Sequence, residues 1–146
     1  GLNFNLLIKN IEILVAALPN IKIKINCTIS AFNIHRIPQI HQYLIENKII
    51  DHNGFIFNTL QTPKILRTQI LPQPIKKDIQ NSSQLYIESL NSQFNEFKYN
   101  FQQQIKFMFA EDLSQYISDL KKYNHQLDQL RNKKLLETYP EFQSWL

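Results

Sequence analysis

The residues best suited to chemistry are Asn26, Thr28 and Ser30, which sit at every second position of the segment Ile21-Lys-Ile-Lys-Ile-Asn-Cys-Thr-Ile-Ser30. Amide and hydroxyl groups of this kind donate and accept hydrogen bonds without titrating near neutral pH. They suit the binding of a polar ligand better than proton transfer. The apolar residues Ile21, Ile23, Ile25, Cys27 and Ile29 fill the alternate positions. A period of two predicts a strand over 21–30 with one apolar and one polar face. The polar face runs out at Asn33, just before a helical pattern, and α/β folds place ligand groups at such C-terminal strand ends. Bland roles compete with this reading. Thr28 and Ser30 can satisfy backbone groups at the strand end, and Asn33 can serve as a turn residue or helix cap.

Catalytic and metal-binding patterns are missing. The two glycines, Gly1 and Gly54, make no phosphate-cradling loop. His35, His41, His52 and His125 fall in no metal-ligand spacing. The single cysteine, Cys27, excludes an internal disulfide or a cluster ligated by this chain alone, and its place on the apolar strand face predicts a small core residue. Asp112, Asp119 and Asp128 have lysines nearby and read as solvated ion pairs. Lys76 and Lys77 are placed on a solvated helix start, where an anion contact is the minor reading.

Around these residues the elements are legible. Phe4, Leu7, Ile8, Ile11, Leu14, Val15 and Leu18 recur at three- and four-residue spacing and predict an amphipathic helix over 3–17, stopped by Pro19-Asn20. A second helix is predicted over 37–47, with Ile37, Ile40, Tyr43 or Leu44 and Ile45 inward and Pro38 in its first turn. Asp51-His-Asn-Gly54 predicts a turn, 55–60 a short buried strand, and 65–70 an extended continuation. Two strands joined by a crossover helix imply a parallel pair. Two strands are too few for an independent sheet of this kind, so the expectation is an incomplete α/β sheet. Beyond Leu71-Pro-Gln-Pro74 the chain reads as helical. One face runs through Ile79, Ser83, Tyr86, Leu90, Phe94 and Phe97, and another runs from Phe109 to Leu130 in a helix over about 102–132. A last short helix is expected over 140–146.

The 146 residues carry a net charge of +4, and all of the excess lies in residues 1–73, with 7 basic and 3 acidic side chains. Without a dense basic run this favours a solvated surface over a nucleic-acid site. No apolar run approaches the ~18 residues of a membrane span. With no signal-peptide pattern visible, a cytoplasmic compartment is expected.

The segments Asn26-Cys-Thr-Ile-Ser-Ala-Phe-Asn33, Phe57-Asn-Thr-Leu-Gln-Thr-Pro63, Leu71-Pro72 with Lys76, Asp128-Gln-Leu-Arg131 and Tyr139-Pro-Glu141 together resemble the radical S-adenosylmethionine (SAM) superfamily. The likeness is to the branch with a shortened C-terminal twitch region, and it covers residues 5–144. The resemblance implies the C-terminal portion of a partial (β/α)6 TIM-like barrel in 1–75, followed by an α-helical region in 76–146. It further implies an enzyme in which SAM and a 4Fe-4S cluster generate a 5′-deoxyadenosyl radical that attacks a substrate of unknown class. The Cys-x3-Cys-x2-Cys cluster motif is absent, so the chain is expected to be an inactive fragment whose partner is the N-terminal half of the barrel. By position, Asn26, Thr28, Ser30 and Asn33 would face SAM from the fifth strand and Asn58 from the sixth. Two other readings of the same residues are a small non-catalytic helical interaction module and a weak nucleic-acid binder using the basic first half.

Overall fold

A computed structural model describes residues 3–146 and shows a mostly helical α/β fold around a two-stranded parallel sheet. Helix α1 spans Phe4–Ala17, with Asn3 as N-cap accepting from the Leu6 N–H at 3.1 Å. The side chain of Phe4, assigned to its apolar face, lies outside the described part. Of the remaining face, Ile8 and Ile11 pack on the core, while Leu7, Leu14, Val15 and Leu18 stay exposed.

Strand β1 covers Ile25–Ile29, shorter than the expected 21–30, and α2 covers Ile37–Glu46. Strand β2, Phe55–Thr59, pairs with β1 in parallel, Ile25 opposite Phe55 and Ile29 opposite Thr59. The turn before β2 closes on Asp51, whose carbonyl accepts from the Gly54 N–H at 2.9 Å. Glycine is needed there, because a Cβ on Gly54 would lie 2.5 Å from the Ile50 Cβ and 3.1 Å from the Ile23 carbonyl. The Gly54 carbonyl then accepts from the Ile25 N–H at 2.7 Å and aligns the two strands.

Five expectations are corrected. The strand over 55–60 is not buried on both faces: Phe55 and Phe57 pack on the core while Ile56 and Asn58 are exposed. Residues 65–70 are not extended; they form two 3-10 turns, Lys64–Leu66 and Thr68–Ile70, after Pro63. The face through Phe97 does not belong to one helix. Helix α3 ends at Ser89 (Gln73–Ser89), Asn91 caps a 3-10 turn at Ser92–Phe94, and α4 runs Asn95–Phe109. The expected helix over 102–132 is likewise broken at 110–116, and α5 occupies Ile117–Arg131. Local Asx turns explain both breaks, since the side-chain oxygens of Asn91 and Asp112 take the N–H groups of Gln93 and Ser114 at 3.0 Å. Finally, Lys76 is not solvated. It is fully buried, and its Nζ donates to the Glu111 carbonyl at 3.4 Å. Burial pulls its pKa down, with Asp112 partly offsetting the effect.

Helix α4 seals one face of the sheet. Its Phe97 and Phe101 rings lie 5.2 and 5.8 Å from Phe57, and one cluster of buried residues draws on both sides of residue 75. The chain closes through α6, Leu135–Thr138, and a 3-10 turn at Pro140–Ser144 that buries Phe142 and Trp145. Among the described residues no helix is long and apolar enough to cross a membrane.

Candidate functional site

The register of the parallel pair puts Thr28 opposite Asn58 and Asn26 opposite Ile56. Alternation then sorts the sheet into two faces. Ile25, Cys27, Phe55 and Phe57 pack on the core, whereas Asn26, Thr28, Ile56 and Asn58 are exposed. The side chains of Asn26, Thr28 and Asn58 make no hydrogen bond within the described residues. Neighbouring strands of a sheet lie about 4.8 Å apart. Two amides and a hydroxyl thus form one uncovered polar patch around Ile56, open to a ligand or to a covering segment.

Ser30 and Asn33 are spoken for locally. Asn33 Oδ1 accepts from the Ser30 N–H at 2.8 Å, and its Nδ2 donates to the Thr28 carbonyl at 2.8 Å. The Ser30 hydroxyl reaches Asn33 Oδ1 at 3.4 Å and accepts from the Phe32 N–H at 3.3 Å. Asn33 is therefore the clip that ends β1 and turns the chain into α2. Substituting it with alanine leaves two backbone groups unpaired and is expected to cost about 1–2 kcal/mol of unfolding free energy, measured in urea. A change under a few tenths of a kcal/mol would mean that water replaces both bonds.

The cysteine and the charged groups have structural surroundings. Burial pushes the Cys27 thiol up, away from the thiolate needed for metal binding or attack. Among the described residues no three His, Cys, Asp or Glu side chains come together as a metal site. Two of the landmark motifs acquire physical roles. Asp128 Oδ1 accepts from the Leu135 N–H at 3.0 Å, joining α5 to α6. Glu141 pairs with the Arg36 guanidinium and lies 3.5 Å from His35 Nε2, tying the C-terminus to the turn after β1. A backbone N–H, followed by the Arg36 and His35 contacts, holds the Glu141 carboxyl below its ordinary range. Burial lowers His35, with Glu141 partly offsetting it.

Residues not singled out from sequence also gather near these strand ends. Thr59 donates to Gln104 Oε1 of α4 at 2.9 Å. Ser30 and Asn33 border a cavity that α5 walls on the other side, through Tyr123, Asn124 and Arg131. Arg131 was noticed only as part of a motif, and nothing in the spacing of Asn124 marks it. Their meeting with Ser30 depends on how α5 packs. No protein-family model, no curated protein and no solved structure matches the chain.

Proposed function

We propose that this chain is the C-terminal part of a radical SAM enzyme and supplies SAM-facing strand ends to a partial (β/α)6 barrel. The reading is supported by one asymmetry of the sheet. Helix α4 covers its apolar face, while among the described residues the face with Asn26, Thr28 and Asn58 has no cover and β1 has a strand on one side only. In α/β barrels the helices lie outside, and the inward strand faces meet each other and the ligand. Leu6, Ile13 and Leu18 of the α1 region are each more than half exposed, which fits a helix awaiting a neighbour.

In this reading Asn26 and Ser30 bind the ribose or methionyl carboxylate of SAM beside Thr28, the Ser30 hydroxyl turning to the ligand from its long 3.4 Å contact with Asn33 Oδ1. Asn58 and the backbone of 60–62 lie by the adenine, and Asn33 holds the turn beneath. When bound there, and cleaved by one electron from the cluster with loss of methionine, SAM would supply the 5′-deoxyadenosyl group for hydrogen abstraction from the substrate. Cys27, half-buried on the apolar face and with its thiol pushed up, does not fit a cluster ligand. The 4Fe-4S cluster therefore belongs to the N-terminal half of the barrel.

The test is the reading frame upstream of Gly1, expressed together with this chain and purified without oxygen. About four irons per chain and release of 5′-deoxyadenosine on reduction are expected. Asn26→Ala in that longer protein should raise the KM for SAM about fivefold, the worth of one hydrogen bond of about 1 kcal/mol. A product with no cysteine triad and no iron overturns the reading. The exposed apolar side of α1 would then favour a helical interaction module.

A further inference from the structure

The turn after β1 and helix α5 line a half-open cavity of about 540 Å³. That volume lies in the range of sites for small organic ligands, roughly 300–1,000 Å³. Its walls divide by chemistry. Phe32, Ile40, Leu127 and Phe142 supply apolar surface, while Arg36, Tyr123, Asn124, Arg131 and Tyr139 supply the polar edge. Among the described residues no Asp or Glu lines it.

Every unengaged polar side chain of that edge can donate a hydrogen bond. Arg131 makes no ion pair or hydrogen bond within the described residues, and a guanidinium carries donors only. Asn124 Nδ2 is sealed from solvent without an acceptor. Neither tyrosine hydroxyl has a partner within the described residues. Arg36 differs, because its charge is already met by Glu141 and its guanidinium lies 5.1 Å from the centre of the Tyr139 ring. Among the described residues that line the cavity, Arg131 is the cation left without a partner, beside the apolar walls.

We propose that this cavity binds a small organic monocarboxylate with an aromatic or branched apolar body, its carboxylate held by Arg131. Arginine meets a carboxylate through two parallel N–H donors, and the walls take up the apolar part. A phosphate monoester fits less well. It carries close to two negative charges near neutral pH, and the second would have to draw Arg36 away from Glu141. The inference goes beyond the radical SAM reading and does not rest on it.

Three probes with the same ring test it on the 146-residue chain: phenylacetate, phenylacetamide and phenyl phosphate, titrated by NMR with the Asn124 side-chain amide as reporter. Phenylacetate is expected to saturate and shift that signal, with the other two at least tenfold weaker. Arg131→Gln should weaken phenylacetate about tenfold. Lys121→Gln, the same loss of charge at an exposed position of α5, should leave binding unchanged. Absence of saturation by phenylacetate overturns the proposal. So does equal affinity for the amide or the phosphate, or an equal loss in both variants.

Discussion

Phe97→Ala is expected to lower the unfolding free energy by about 3–5 kcal/mol, the usual cost of emptying a buried phenylalanine site. Phe97 is 2% exposed and stands where the sheet, α2, α3 and α4 converge. Its ring stacks on His41 with centroids 3.6 Å apart and meets Phe55, Phe57 and Phe101 at 5.5, 5.2 and 5.7 Å. These neighbours belong to three different elements, so no single movement can refill the space. For a chain of this size each kcal/mol shifts Tm by about 2–4 °C, so a fall of about 6–20 °C should follow. Urea unfolding with an unchanged slope is the check. A loss below about 1 kcal/mol would mean that the aromatic cluster collapses around the gap.

The second large effect is acid destabilisation through His41. This side chain is completely buried, its Nδ1 lies 2.7 Å from the Tyr86 hydroxyl, and Nε2 has no partner. Burial pulls its pKa to about 4 and pushes Tyr86 up to about 12, with Glu46 adding to the latter. A base with a lowered folded-state pKa leaves the native chain holding fewer protons than the unfolded one, so stability rises with pH across the window. His41 thus costs nothing above its ordinary pKa near 6.5, and its penalty grows as pH falls toward 4. At about 1.4 kcal/mol per pH unit the total is about 3 kcal/mol. Chemical denaturation at pH 7, 5.5 and 4 measures it. His41→Phe, which keeps an aromatic ring in the cluster, should flatten the profile between pH 4 and 6.5. An unchanged slope in that variant would assign the acid sensitivity to other groups.

The strand alternation made β1, and the polar set on it, readable in advance. Asn26 and Thr28 lie on the open face as their period-two spacing requires, and Asn33 ends the strand as a turn residue should. The parallel pairing also followed, because a helix stands between the two strands. The long aromatic stripes misled. Leu90, Phe94 and Phe97 keep helical spacing across a break made by the Asn91 side chain, and apolar periodicity alone does not register a competing Asx turn. Lys76 misled for a similar reason. A lysine two residues after a proline reads as a solvated helix start, and only the return of residues 111–113 over the Thr68–Ile70 turn buries it.

The sequence by itself determined the local order of the chain. Alternation fixed β1 and its faces, the turn at Asp51-His-Asn-Gly54 announced β2 without its faces, three- and four-residue spacing fixed α1 and α2, and Pro, Gly and Asn marked several of the turns between elements. These features depend on residues within a few positions of one another, so they are written in the local pattern. Tertiary structure decided which face was covered, that Phe97 stacks on His41, and that Arg36 meets Glu141 across 105 positions. It also decided that Ser30 and Arg131 border the same cavity. Those outcomes depend on how whole elements fill the space around a shared core, and packing between residues far apart in the chain leaves no period to read.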